Sequence, residues 1–135
     1  MRRIITPLTM LCALGLALTG CLGEGERAAG ASAAATAFEE LLRSEDGTGL
    51  CAALAPDTRS EVEQSEQKVC AEAITAQDLP EGGDVRSAEV YGRQARVVLE
   101  GDTLFLSRFP DGWKVVAAGC TPRPERPYDC VVEGG

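Results

Sequence analysis

The chain contains no histidine, so the side chain that most often moves protons near neutral pH and most often binds transition metals is missing. Asparagine is absent, and lysine nearly so: of 13 basic residues only Lys68 and Lys114 are lysines. Acidic residues number 21, all after position 23, and the formal net charge is −8. Phosphate neutralisation needs clustered Lys and Arg, so this balance excludes nucleic acid as a partner. Aromatics are scarce, with three Phe, two Tyr and one Trp. No apolar run is long. The best, Ile4 to Leu18, covers 15 residues, short of the ~20 that a membrane-spanning helix needs. What remains is 135 residues, 44% hydrophobic, enough for one modest core and not two.

That short run is informative by its position. Met1-Arg2-Arg3 supplies a positive end ahead of it, as in a secretory signal. It closes on Leu18-Thr19-Gly20-Cys21, small residues followed directly by a Cys. This tetrapeptide resembles the lipobox of bacterial lipoproteins, in which the Cys sulfur takes a diacylglycerol and cleavage frees its nitrogen. The resemblance implies a signal peptide over residues 1–20, lipidation at Cys21, and a mature protein held by palmitate-type acyl chains on the extracytoplasmic face of the cell membrane. Cys12 falls in the discarded segment and needs no role. Leu22 to Ser32 lacks apolar periodicity and reads as a flexible tether, 21–32 with the anchor. Its eleven residues would hold the domain on the order of 18 Å from the bilayer. The excess of Arg over Lys, the missing Asn and the abundant Ala and Gly fit a GC-rich genome; with the lipobox, the chain is similar to small secreted lipoproteins of actinobacteria.

Residues 33–135 read as a single domain, helices first and strands after. In Ala33 to Arg43 the positions Ala34, Ala37, Phe38, Leu41 and Leu42 follow the rhythm of one helix face, with Glu39, Glu40 and Arg43 opposite. Leu50 to Leu54 is a short apolar piece stopped by Pro56. Thr58-Arg59-Ser60-Glu61 fits a capping box and predicts a helix to about Ala76, with Val62, Val69 and Ala73 inward. After Asp84 the period becomes two. Strands are predicted over Val85–Tyr91, Gln94–Glu100, Thr103–Phe109, Trp113–Cys120 and Tyr128–Glu133, joined by Gly92-Arg93, Gly101-Asp102 and Pro110-Asp111-Gly112 turns. These turns set Leu99 opposite Leu104, Val97 opposite Leu106 and Leu106 opposite Val116. Leu104, Leu106, Val116 and Ala118 then share one face. The class is α+β: about three helices packed on one face of a curved antiparallel sheet of four to five strands.

Ala34-x-x-Ala37-Phe38-x-x-Leu41-Leu42, the Leu50-Cys51-Ala52-Ala53-Leu54-Ala55-Pro56 segment and the closing Gly112-Trp113-Lys114-Val115 resemble the nuclear-transport-factor-2-like superfamily over residues 33 to 133. The resemblance implies a cone of three helices against the sheet, enclosing a pocket. Phe38, Leu42, Tyr91, Leu106 and Trp113 are its candidate lining, with Tyr91 or Trp113 near the mouth. Small residues at Ala117, Ala118 and Gly119 leave room inside.

Export leaves Cys51, Cys70, Cys120 and Cys130 where disulfides persist. Four cysteines allow three pairings. Cys120 and Cys130 sit symmetrically about Glu125 on two arms of a hairpin, within disulfide reach if directly opposed. Elimination then joins Cys51 to Cys70. No C-x-x-C occurs, and a zinc site without His would need all four thiolates, so no metal is expected and no cofactor is implied.

Catalytic signals are thin. Enzymes of the resembled superfamily use a pocket Asp with Tyr, an Asp-Arg-Asp set or paired His, and the last is unavailable. Arg96 and Asp102 are the one ionic pair to consider, though Asp102 reads as a solvated turn tip. Tyr91 reads as rim packing more than as a donor, and Trp113 as a seal. No Gly-x-Ser-x-Gly elbow exists, and Glu61, Glu63 and Glu66 have the spacing of a solvated helix face. Three readings follow. One is a non-catalytic lipoprotein docking on or modulating another envelope protein, marked by an exposed apolar patch. The second is a carrier or sensor of a small apolar ligand, marked by a deep pocket. The third is an isomerase- or hydrolase-type enzyme, marked by converging groups of shifted pKa.

Overall fold

The computed structural model describes residues 20–134. The segment read as a signal peptide, ahead of Gly20, and the side chain of Cys21, expected to take the lipid, lie outside the described residues. The first helix, α1, runs Gly20–Arg43, so the stretch expected as a flexible tether is helical. Seven alanines between positions 28 and 37 supply the best intrinsic helix former. Their small side chains also let α1 lie close on the sheet: Ala31 and Ala35 are fully buried, and a Cβ placed on Gly30 would come within 3.1 Å of the Trp113 indole nitrogen. Alanine periodicity is a weak hydrophobic signal, which is why the pattern misses this packing. The buried stripe is Ala31, Ala35 and Phe38, flanked by Ala34, Leu41 and Leu42. Ala37, expected inside, is exposed. Glu39, expected outside, is buried.

Helix α2, Gly47–Ala53, is capped by the Asp46 carboxylate, which accepts from the Gly49 N–H at 2.9 Å. Helix α3 spans Pro56–Glu66 and opens on Pro56 at its first position, where the missing N–H costs nothing. Thr58 is therefore no cap. It is fully buried and donates its hydroxyl to the Val116 carbonyl at 2.8 Å, tying α3 to the sheet. The single helix expected to reach Ala76 is broken at Gln67, whose φ of 53° is left-handed. Helix α4 resumes over Cys70–Thr75. The break redirects the chain so that Cys70, Ala73 and Ile74 all enter the core, while Val69, expected inward, is 66% exposed.

Five strands follow: β1 Val85–Tyr91, β2 Gln94–Leu99, β3 Thr103–Phe109, β4 Gly112–Arg123 and β5 Arg126–Glu133. They form one open antiparallel sheet in chain order. The β2–β3 register places Val97 opposite Leu104 and Ala95 opposite Leu106. That is two residues from the expected pairing, an even slip that keeps the apolar faces aligned. Between β3 and β4 an irregularity intervenes. Phe105 still faces Ala117, but Leu106 faces Val115. This single-residue shift turns Val115 into the core in place of the expected Val116, as a bulge does. Strand β4 also runs on through the Pro-rich link, with Glu125 left-handed at the turn. The disulfides are Cys51–Cys70 and Cys120–Cys130, and Cys120 lies directly opposite Cys130. Phe38, Leu50, Ile74, Val97, Leu104, Leu106 and Val115 fill the space between helices and sheet.

Candidate functional site

The five residues expected to line an inner pocket do not meet around one. Phe38 and Leu106 are fully buried in the packed core, and Leu42 is half-buried against it. Trp113 is half-buried over Gly30, with the Arg108 guanidinium 5.9 Å from its ring centre. Tyr91 points away from the helices and is 67% exposed. The space expected beside the small residues of β4 is taken: Val131 and Leu79 lie against Gly119, and Ala118 belongs to the same buried core as Phe38, Leu104 and Leu106.

The polar and aromatic groups instead gather on the outer face of the sheet. Period-two alternation sends Ala95, Val97 and Leu99 inward and Gln94, Arg96 and Val98 outward. Pairing then lines up Glu89, Arg96 and Phe105 across three strands. The Arg96 guanidinium forms a close ion pair with the Glu89 carboxylate. Tyr91 donates its hydroxyl to the same carboxylate at 2.8 Å. A second Arg96 nitrogen donates to the Tyr128 hydroxyl at 3.4 Å, and the Tyr128 ring meets Phe105 edge-on at 5.0 Å. An open groove of about 240 Å³ runs beside this cluster, bounded by Tyr91, Gln94, Arg96, Phe105, Ser107 and Val116. The hydrogen bond from Tyr91, with that from Arg96, holds the Glu89 carboxyl below its ordinary range, and donating to that carboxylate raises the Tyr91 phenol. Near neutral pH Glu89 is therefore charged and Tyr91 neutral, as an ion pair and a donor rather than an acid–base couple.

Arg96 and Asp102, considered together from the sequence, do not meet. Nor is Asp102 a solvated turn tip. Its half-buried carboxylate accepts from the backbone N–H of Thr103 at 2.7 Å, and from Gly119 and Cys120 at 2.9 Å. Burial nevertheless raises its pKa against those three bonds. It ties the β2–β3 turn to β4 just where Gly119 adopts a φ of +66°.

A second polar cleft, of about 490 Å³, opens between α1 and the loop ahead of β1, beside Thr36, Glu39, Arg43, Glu81, Asp84 and Glu100. Glu39 lies at its floor. One carboxylate oxygen accepts from the Gly82 N–H at 2.7 Å, and the other is buried with no partner. Burial pushes its pKa up; the Gly82 bond opposes this, and the Asp102 charge adds to it. A Cβ on Gly82 would sit 2.9 Å from Glu39 Oε1, so this approach depends on glycine. No sequence signal marks Glu39, because only the fold brings Gly82 over that helix face. Among the described residues no three Cys, Asp or Glu side chains converge as a metal site, and no helix is long and apolar enough to cross a membrane. Comparison with protein-family models, with curated proteins and with solved structures returns no match.

Proposed function

We propose that this protein is a lipid-anchored lipoprotein of the extracytoplasmic membrane face, non-catalytic, that docks on and modulates another envelope protein through the outer face of its sheet. One observation carries the docking reading. The inner face is filled, while the outer face displays Tyr91, Arg96 and Phe105 at an open groove, with Tyr128 packed against Phe105 beside it. Tyr, Phe and Arg are the residue types enriched in protein interfaces, and Arg and Tyr recur as energetic anchors within them. The ion pair of Arg96 with Glu89 pre-orders the long arginine side chain, which lowers the entropy lost on association. The α+β order of helices followed by one open antiparallel sheet is compatible with the nuclear-transport-factor-2-like resemblance, which rests on the sequence motifs alone. The anchor rests on the Leu18-Thr19-Gly20-Cys21 motif. Docking is preferred to the carrier alternative because neither Phe38 nor Leu42 lines any of the clefts described, although Tyr91 and Leu106 both border the outer groove.

The test is photocrosslinking in intact cells. A photoreactive residue replacing Tyr91 should give a discrete adduct with a membrane protein, lost when Arg96→Ala is added. The same residue replacing Glu61, on the exposed face of α3, should give none. Equal yields from both positions, or an adduct indifferent to Arg96, would remove the outer face as the docking surface.

A further inference from the structure

The chain is acidic overall, yet one cleft is bordered by three arginines and no carboxylate. Arg27 of α1, Arg93 of the β1–β2 turn and Arg108 at the end of β3 surround a depression of about 550 Å³ with Phe109, Pro110 and Trp113. The three arginines are exposed. Among the described residues none of them takes part in an ion pair, whereas Arg43, Arg59, Arg96 and Lys114 do. Their positions are held by the fold. The Arg108 N–H donates to the Arg93 carbonyl, and the Arg93 guanidinium donates to the Arg108 carbonyl, each at 2.7 Å. Trp113 faces Arg108 across the β3–β4 ladder, and the guanidinium rests over its ring. Nearby acidic groups are few. Glu24 and Glu26 are exposed on α1, and Asp111 is 3.3 Å from Lys114.

The location of the cleft is what gives it meaning. Arg27 lies six residues after Cys21 within one helix, about 9 Å along the axis. The basic cleft is thus at the end of the domain where the anchor would emerge. We infer that this cleft seats the phosphate headgroups of anionic lipids, so that the domain lies against the bilayer and does not hang clear of it. The inference rests on the anchored reading above for its biological setting, though not for its chemistry. Arginine guanidinium groups match phosphate oxygens in bidentate geometry. An arginine near an anionic surface contributes about fivefold in affinity. Trp is the side chain most at home between headgroups and hydrocarbon. A bilayer fits better than a soluble anion because the arginines ring an open, shallow depression beside apolar Phe109 and Pro110.

The test uses the mature chain, residues 21–135, carrying Cys21→Ala, so that neither acylation nor the apolar leader plays a part, and flotation with vesicles. Binding should be stronger to equal parts phosphatidylcholine and phosphatidylglycerol than to phosphatidylcholine alone, and should weaken with salt. Replacing Arg27, Arg93 and Arg108 together by Gln should cut phosphatidylglycerol binding at least tenfold and leave binding to phosphatidylcholine unchanged. Replacing them by Lys should retain most of it. Trp113 is the chain's one tryptophan. Its emission should shift to the blue with phosphatidylglycerol vesicles only, a readout that needs no arginine variant. No preference for phosphatidylglycerol, or a Gln variant that binds like the parent, overturns the inference. So does displacement of the vesicles by excess glycerol 3-phosphate, which would make the cleft a soluble-anion site. Palmitate labelling of the unaltered chain tests the anchor separately, and either result can fail without the other.

Discussion

At the scale of single residues, the most constrained positions surround Asp102 and Glu39. Gly119 has a φ of +66°, and a Cβ there would lie 2.8 Å from Val131 Cγ2. Its N–H also donates to Asp102. Gly119→Ala should lower unfolding stability by about 1–3 kcal/mol from backbone strain, read as the urea midpoint; a change within error would show that the strand relaxes around the methyl group. Glu39 makes the opposite case. Because burial raises its folded-state pKa above the ordinary 4.5, the folded protein binds the proton more tightly than the unfolded chain does. The stabilisation is complete below pH 4.5 and is lost as pH rises through the raised value. Glu39→Gln should remove this part of the pH dependence and be more stable than the parent at neutral pH. Urea titrations on either side of pH 4.5 measure it, and parallel pH profiles for the two proteins would rule the argument out. Asp102, also raised, supplies a remaining slope of the same sign in both.

At the scale of elements, α1 is stitched to the sheet by a narrow stripe. Phe38 is 1% exposed and Leu42 only half-buried. Phe38→Ala should therefore cost about 3–5 kcal/mol, Leu42→Ala clearly less, and a polar change at the exposed Ala37 within about half a kcal/mol. Equal costs at 37 and 38 would place the stripe where the apolar periodicity alone puts it. The Cys51–Cys70 bridge joins α2 to the start of α4 across 19 residues. Its removal should cost about 3 kcal/mol on loop-entropy grounds, slightly more than the 10-residue Cys120–Cys130 loop. Paired Ser substitutions followed by thermal denaturation give the comparison, and the reverse order would show that strand pairing depends on its bridge more than helix packing does.

At the scale of the whole molecule, charge is unevenly placed. A domain with a surplus of acidic residues is repelled by an anionic surface, unless its basic groups are collected on one side. Arg27, Arg93 and Arg108 are collected in this way. Lipidation at Cys21 would keep that side within reach of the bilayer, since two acyl chains anchor stably where one does not. Cys21→Ala should abolish palmitate labelling and release most of the protein from membranes into high salt. Persistent labelling of that variant would place the acyl group elsewhere. The open sheet leaves β1 and β5 as edges. Strand β5 carries Arg126, Pro127, Asp129 and Glu133, side chains that discourage edge-to-edge association.

Much of this architecture is local in origin and legible in the chain. Period-two alternation and Gly- or Pro-containing turns locate the strands to within a few residues, because each hairpin is decided by the residues it contains. The symmetry of Cys120 and Cys130 about one turn sets their pairing, and Cys51 with Cys70 follows. Distant contacts decide the rest. Sliding β3 on β4 by one residue selects Val115 over Val116, and that choice depends on packing across the sheet. The close seating of α1 on the sheet depends on Trp113 meeting Gly30, more than eighty residues away in sequence. Glu39 is buried because Gly82 closes over it, and Arg96 finds Glu89 and Tyr128 because the strands align them. Short-range patterning determined the five strands and most of the helical segments, though not the helical course of residues 21–32 or the break at Gln67. Long-range packing decided the remaining assignments of side chains to the core or the outer face, because those depend on neighbours that no local pattern encodes.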